Sequence, residues 1–302
     1  MPQSRLNLSV IIATYNRAGL LRETLRSLMD TDMEGLPCEI IVIDNNSSDV
    51  TPDVVNEFAR KYENIKAARE RKQGLSYARN KGLDIAKGDI IAFLDDDLEI
   101  NESWPKEIVK PFIDSSVWCV TGKVQPYGNV NVPKWLPSKL SFLLSISDYG
   151  RQEKLLSGKE KPIGCNMAFR HDIFSYIGRF DQALGRKGNT LLGSEEVFLY
   201  YKILKYNKKV IYNPNAIVLH KINKKLTKDY VLNCAYWSGI SESYIEKRLF
   251  KPKYLVKLAR SALYILAYPG VMLTQKFIQQ PEAKSFMRSY LVQYSAGYLK
   301  FF

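Results

Sequence analysis

Residues Ile90-Ile91-Ala92-Phe93-Leu94 form a continuous apolar run that ends abruptly in Asp95-Asp96-Asp97. A strand covered on both faces reads as an unbroken hydrophobic stretch, so residues 89–94 predict a central strand of a parallel sheet. In open α/β sheets, ligands collect beyond the carboxyl ends of the strands. Three adjacent carboxylates at such an end repel one another unless a cation neutralises them. Hard divalent ions take oxygen ligands, and Mg²⁺ completes its shell with water and phosphate oxygens. The run therefore predicts a buried strand that presents a metal and, through it, a phosphorylated ligand.

The flanking sequence supplies the rest of such a sheet. Over the first ~125 residues, short apolar runs alternate with longer amphipathic segments, the pattern of βαβ units. Strands are expected at 9–13, 39–43, 65–68 and 117–122. Helices are expected at 20–29, from Pro52 to about Tyr62, at 74–86, and at 104–113. Order loosens between Gln125 and Lys161 and returns at Pro162 to Phe169. Helices follow near 172–177 and 195–206, then one or two strands over 210–219, and mostly helix after Lys228. Connections as long as 125–161 often carry function. That segment and the 183–193 loop are where specificity is expected.

Polar clusters sit at the predicted strand ends. The first strand runs into Thr14-Tyr15-Asn16-Arg17, where an aromatic ring could stack on a base. The second ends in Asp44-Asn45-Asn46-Ser47, polar groups able to read a nucleobase or ribose. Arg71 and Arg79-Asn80 flank a Gly-containing helix start suited to phosphate or carboxylate. Singly, each is an ordinary turn or cap; together with the triple Asp they describe a nucleotide-binding edge. The chain lacks Gly-x-Gly-x-x-Gly and the Walker-type loop, which argues against a dinucleotide oxidoreductase and a P-loop kinase.

Five stretches in order resemble the family-2 glycosyltransferases of the GT-A fold. They are Ser9–Arg17, Ile41–Asp49, Gly74–Gly82, Ile90–Asp97, and Gly164–Arg170 with Gly178-Arg-Phe-Asp181. The resemblance spans about Leu8 to His220. It implies an α/β fold of GT-A type, a Rossmann-like nucleotide-diphospho-sugar transferase with a mainly parallel sheet. A mostly helical C-terminal extension follows, giving a catalytic domain over 1–228 and a basic amphipathic region over 229–302.

By the same resemblance Thr14, Tyr15 and Asn16 would line the nucleotide pocket, and Asp44 would hold the uracil-recognising position. Asp95-Asp96-Asp97 would be the metal-binding Asp-x-Asp, with Asp97 the direct ligand and Asp95 near the ribose or the metal. His220, at the end of an apolar strand, is the next metal candidate, and the cofactor would be Mg²⁺ or Mn²⁺. Gly193-Ser-Glu195-Glu196 matches the acceptor-side Glu-Asp, which makes Glu196 the general base and Glu195 the alternative. An acceptor hydroxyl must lose its proton as it attacks the anomeric carbon, and a placed carboxylate contributes ~10²–10⁴-fold to such a step. The resemblance further implies inversion at that carbon, with a UDP-sugar as donor and a dTDP-sugar as second choice.

Charge is unevenly spread. From Lys221 onward the chain has 14 Lys/Arg against 4 Asp/Glu, which is +10 of the total +13 and leaves only +3 for residues 1–220. Such asymmetry suits a polyanionic partner surface. The uncharged run from Ser261 to Leu273 is 13 residues long and holds Pro269-Gly270, short of the ~20 needed to span a bilayer. Lys, Arg and interleaved Tyr around it have the make-up of an interfacial helix on anionic lipid. A helix packed on the catalytic domain, or on a second subunit of a homo-oligomer, fits equally. The membrane reading suits a glycan or lipid-linked acceptor in cell-surface polysaccharide assembly.

Met1 to Tyr15 has no secretory-leader pattern, and Cys38, Cys119, Cys165 and Cys234 form no Cys-x-x-Cys pair. A cytoplasmic protein with reduced thiols and no zinc site is expected, peripheral at the inner face of the membrane if the tail binds lipid. Two rivals differ in kind: a nucleotidyltransferase, which would release pyrophosphate, and a non-catalytic module with a basic tail. Nucleic acid is not an expected partner, because nucleic-acid binding does not explain three acids at a strand end.

Overall fold

A computed structural model describes residues 6–158, 160–275 and 282–300. The N-terminal part alternates strand and helix: β1 (Leu8–Thr14), α1 (Ala18–Met29), β2 (Cys38–Asp44), α2 (Thr51–Lys61), β3 (Ile65–Arg69), α3 (Leu75–Ile85) and β4 (Ile90–Leu94). Then come β5 (Leu98–Ile100), α4 (Trp104–Val109), β6 (Val117–Pro126), β7 (Lys154–Leu155), β8 (Asn166–Arg170), α5 (Phe174–Ile177), α6 (Glu195–Leu204) and β9 (Lys209–His220). The strands make one sheet in the order β3-β2-β1-β4-β8-β6-β9-β5, with β7 on β9. It is parallel from β3 to β4; β8 then enters antiparallel between β4 and β6, while β6 and β9 pair in parallel.

Two apolar clusters form because alternate residues of a strand face opposite sides. Val10, Ile12, Ala92 and Leu94 join Leu21, Leu25 and Leu28 of α1 and Val54, Val55 and Phe58 of α2. Ile11, Ile41, Ile43, Ile91 and Phe93 join Ala78 and Leu83 of α3 and Leu199, Tyr200 and Ile203 of α6. The sheet is thereby covered on both faces, as the continuous apolar runs require. Gly82 lets α3 ride close on β1: a Cβ there would lie 2.5 Å from Ile11 Cγ2.

The elements depart from sequence expectation where backbone chemistry intervenes. The helix expected over 104–113 stops at Val109 and continues as a 3₁₀ turn over Lys110–Ile113, since Pro111 brings no N–H to an α-helical ladder. The segment 210–219 is part of one strand, and its pairing with β6 skips from Asn213 to Ile217. Pro214 falls in that irregularity, where a missing donor is tolerated.

The chain divides into two compact units. One comprises residues 6–128, 145–183 and 195–221 and contains the sheet. The other comprises 129–144, 184–194 and 222–300, with helices α7 (Lys228–Arg248), α8 (Lys253–Gln275) and α9 (Glu282–Lys300). In this second unit Thr227 caps α7, its side chain accepting from Tyr230 N–H. Gly239 and Gly297 let α7 and α9 pack closely, since a Cβ on Gly239 would meet the main chain of Tyr294 and Tyr298. No described helix is long and apolar enough to cross a membrane.

Candidate active site

The expected strand-end residues gather at one edge of the sheet unit, where β1, β2 and β4 end side by side: Thr14 pairs with Asp44, and Ile12 with Leu94. The three acids after β4 are not equivalent. Asp96 is buried; its Oδ2 accepts from Thr14 Oγ1 at 2.7 Å and its Oδ1 from Arg17 Nη1 at 2.8 Å. Burial pushes its carboxyl up to about 6 against the pull of Arg17. Asp97 is also buried, with Oδ2 3.2 Å from Arg17 Nη1 and Oδ1 3.1 Å from His220 Nε2. Asp95 stays partly open and meets Arg79 Nη2 at 3.2 Å.

His220 reaches Asp97 because β5 pairs antiparallel with β9, setting Leu98 opposite His220. A carboxylate oxygen and an imidazole nitrogen facing each other in a buried place are both metal-ligand types. Among the described residues, no three His, Cys, Asp or Glu side chains converge on one point. Asp97 and His220 are donors of kinds that Mg²⁺ and Mn²⁺ accept beside water and phosphate oxygens.

The β1 end is tied to the β2 end. Asn16, at φ 52°, donates its backbone N–H to Ser47 Oγ at 3.0 Å, and its Oδ1 accepts from Ser48 N–H at 2.8 Å. Left-handed backbone of this kind is tolerated by Asn. Arg17 N–H donates to Thr51 Oγ1 at 3.0 Å. Tyr15 is exposed, with its ring available at the edge. Asp44 is buried; Oδ1 accepts from Ser47 N–H at 3.1 Å, while Oδ2 lies 3.5 Å from Arg69 Nε and accepts no hydrogen bond. Asn46, at φ 65° and exposed, accepts from Arg69 Nη2 at 2.9 Å. Arg71 is exposed in the loop before α3.

Arg79 is the hub of the arrangement and is only 2 % exposed. Its Nη1 donates to Glu195 Oε1 at 2.5 Å and its Nη2 to Gly164 O at 2.8 Å and to Asp95 Oδ1 at 3.2 Å. The guanidinium also lies against the rings of Phe93 (5.8 Å) and Phe180 (5.5 Å), within cation–π range. It thus ties Glu195, Asp95 and the Gly164 carbonyl together inside the site; from sequence, this arginine is suited to phosphate or a carboxylate. Asn80 is likewise turned inward: its Nδ2 donates to Phe180 O at 2.9 Å and its Oδ1 accepts from Phe180 N–H at 3.1 Å. With both ends of that buried amide paired to the main chain, Asn80 holds the 178–181 turn.

Glu195 and Glu196 open α6, just after Ser194 at φ 68°. Glu195 is 3 % exposed and held by Arg79. Glu196 is half-buried, and a Cβ placed on Gly164 would be 3.5 Å from its carboxyl carbon and 3.4 Å from Arg79 Nη1. Loss of water and the neighbouring Glu195 charge push the Glu196 carboxyl up to about 8. A carboxyl poised near neutrality is matched to general-base work.

The structural parts played by Asn45, Asn166 and Gly164 are not among the roles the sequence suggests for them. Asn45 fastens the loop before α3: Nδ2 donates to Glu70 O and Lys72 O, and Oδ1 accepts from Gly74 N–H at 2.7 Å. Gly74 sits at φ 144°, a conformation open to glycine. Asn166 joins three strands and Trp104, accepting from Trp104 Nε1 at 2.9 Å and donating to Ala216 O at 2.9 Å. The Gly164 carbonyl anchors Arg79.

A family model described as glycosyl transferase family 2 matches residues 9–178. The chain is 25 % identical over 246 residues to a glucosyl-dolichyl phosphate glucuronosyltransferase of Haloferax volcanii, covering 80 % of this chain and 78 % of that one. It is 27 % identical over 289 residues to a GalNAc(5)-diNAcBac-PP-undecaprenol beta-1,3-glucosyltransferase of Campylobacter jejuni, covering 86 % and 92 %. Among solved structures it resembles a mannosyltransferase of Pyrobaculum calidifontis in complex with GDP-Man and Mn²⁺. That likeness has a TM-score of 0.67 at 19 % identity and covers 99 % of this chain and 88 % of that one. GalNAc-T7 with UDP, GalNAc and Mn²⁺ gives a TM-score of 0.56 at 19 % identity, covering 80 % and 50 %. The structural likenesses establish a GT-A fold, and the family match takes in more than half of the sequence: the protein is a glycosyltransferase belonging to glycosyl transferase family 2.

Proposed function

We propose that the protein transfers a sugar, with inversion, from a nucleotide-diphosphate donor to a hydroxyl of a lipid-linked or polysaccharide glycan, in a divalent-metal-dependent reaction. The observation that carries this reading is the shared grip of Arg79 on Asp95 and Glu195. One buried guanidinium joins the acid-tipped strand of the donor side to the helix that presents Glu196. UDP is the preferred nucleotide: Asp44 Oδ2 is a buried acceptor without a donor, suited to the imide N–H of uracil or thymine, and Tyr15 offers a ring to stack on. A dTDP-sugar is the second choice. Exposed Arg71 would meet the donor's diphosphate.

Asp97 and His220, with Asp95 nearby in sequence, would hold the metal, which when bound neutralises charge on the departing diphosphate. Glu196 takes the proton of the acceptor hydroxyl as its oxygen bonds to the anomeric carbon. The bond from that carbon to the diphosphate oxygen breaks on the opposite face, and nucleoside diphosphate leaves. Glu195 and Arg79 fix the start of α6 and hence the base. The printed names of the Haloferax and Campylobacter relatives, which carry dolichyl phosphate and PP-undecaprenol, support an acceptor on a polyprenyl phosphate carrier at a membrane surface. The basic C-terminal region would bring the enzyme to the cytoplasmic face of that membrane.

Thermal unfolding with UDP, GDP, dTDP, CMP and ATP, each with and without Mn²⁺, tests the reading. A ligand that binds the folded state alone stabilises it by about 2.7 kcal/mol at a hundredfold excess over Kd. A Mn²⁺-dependent rise with UDP or dTDP is expected. A response to ATP with pyrophosphate release on turnover would make the protein a nucleotidyltransferase, and no response to any nucleotide would leave a binding module.

A further inference from the structure

Helix α8 is amphipathic in the reverse of the usual sense: its outward face is the apolar one. Its inner face is fixed by contacts within the helical unit. Lys257 Nζ lies 2.5 Å from Glu242 Oε1 and 2.8 Å from Glu246 Oε1, both on α7. The Tyr254 ring lies 6.0 Å from that of Tyr298 on α9, and Ser261 is buried. At 100° per residue these three positions share one side of the helix.

The opposite side carries Leu255, Val256, Ala259, Leu263 and Leu266, all exposed. Leu255 and Val256 are each 68 % exposed, Leu263 67 % and Leu266 77 %, and Phe250 just before the helix is 92 % exposed. Isolated exposed leucines are ordinary, whereas a contiguous stripe of them marks a contact surface. Lys253 and Arg260 are exposed along one border of the stripe. From Leu249 to Pro281 the sequence contains no Asp or Glu and five Lys or Arg.

We infer that this face docks on an anionic phospholipid surface, with α8 lying along the interface. This deepens the proposal of a membrane-borne acceptor by naming the residues that enter the lipid and the lipid class that holds them. From Leu255 to Leu266 the stripe runs about 17 Å at 1.5 Å per residue, well under the ~30 Å of a hydrocarbon core. It can therefore lie on a bilayer but not cross it. Leucine side chains enter the acyl boundary while Lys253 and Arg260 stay at the phosphate level, the arrangement of interfacial helices. A second copy of the chain is a poorer match. Two such faces brought together on a twofold axis would present cations to cations, and no acid on the helix would offset them.

Sedimentation of the full chain with vesicles tests the inference without donor or acceptor, so its failure leaves the transferase reading standing. Vesicles of phosphatidylcholine alone are compared with vesicles that also contain phosphatidylglycerol. The chain is expected to bind the second kind strongly, with partitioning that weakens as salt is raised. Leu263→Asp with Leu266→Asp is expected to lower the partition coefficient about a hundredfold, roughly tenfold per leucine. Lys253→Glu with Arg260→Glu is expected to abolish the preference for phosphatidylglycerol. As a readout independent of these losses, Leu263→Trp is expected to show blue-shifted fluorescence on the anionic vesicles only. Binding to neither vesicle, or equal binding by the Leu263→Asp/Leu266→Asp variant, overturns the inference. A dimer in solution that the same double variant makes monomeric, with vesicle binding unchanged, assigns the face to a second copy and also overturns it.

Discussion

Replacing Arg79 by Met probes the coupling on which the site is built. The guanidinium and the Glu195 carboxylate are 2 % and 3 % exposed and 2.5 Å apart, so the change strands a buried carboxylate. Breaking a buried ion pair from one side costs about 3–5 kcal/mol. The Gly164 carbonyl loses its 2.8 Å donor at the same time, worth about 1–3 kcal/mol if water cannot replace it. Met keeps most of the apolar contact with Phe93 and Phe180, so the loss is electrostatic in origin. Against a typical total of about 5–15 kcal/mol, Arg79→Met is severe but measurable by urea unfolding followed through the four tryptophans. Glu195→Gln is milder, since Arg79 keeps Asp95 and Gly164 O. Adding Glu195→Gln to Arg79→Met removes the stranded charge and is expected to recover about 2–3 kcal/mol, within the range of directly contacting pairs. Additive single losses would refute the buried-pair argument.

Two further expectations concern charge at the same edge. With the Glu196 carboxyl pushed up to about 8, the deprotonated form that can accept a proton grows as pH rises, so kcat/KM should climb through that region and level above it; a flat profile from pH 6 to 9 removes Glu196 as the base. The same shift lies above the carboxyl's unfolded value, so this group's contribution favours folding at low pH and is lost as pH rises toward 8. Glu196→Gln is therefore expected to abolish transfer yet raise Tm, by more at pH 8.5 than at pH 6. Arg17 sits against Asp96 and Asp97, and Arg17→Met is expected to lower Tm without metal while enlarging the Tm gain on adding Mn²⁺. An equal gain in both proteins would show that Asp97 and the ion do not meet.

The parallel half of the fold was legible because its strands are buried on both faces: 8–14, 38–44 and 90–94 are apolar runs, and Leu21, Leu25 and Leu28 mark the inner side of α1. Strand β5 escaped notice because its three residues carry no period; it exists through pairing with β9. The antiparallel direction of β8 has no local signature either, since direction follows from the path of the intervening chain. In the site, acids at strand ends could be read one residue at a time. Their counter-ions could not. Arg17 meets Asp96 across 79 positions of sequence and Arg79 meets Glu195 across 116, and nothing local to either arginine in sequence names its partner. The partner of Asn80, the main chain at Phe180, is equally remote in sequence.

On the proposed reading, the balance of charge at this edge would make a donor that is itself anionic require a cation. Asp44, Asp95, Asp96, Asp97, Glu195 and Glu196 lie there, and the arginines that face them are already committed: Arg17 to Asp96 and Asp97, Arg69 beside Asp44, Arg79 to Asp95 and Glu195. A diphosphate arriving alone would find Arg71 but otherwise add negative charge to a site whose other arginines are engaged, and like charges brought together in a poorly solvated place are costly. A cation arriving alone would meet Arg17 and His220 already against Asp97. Each ligand therefore relieves the obstacle to the other on the proposed reading, and linkage requires that they strengthen each other's binding by the same factor. On the proposed reading, arginines that hold the acids in place without a ligand would make nucleotide and metal enter as a pair, and Glu196 on α6, which among the six acids has no direct ion pair with a described cation, would be the one suited to take a proton.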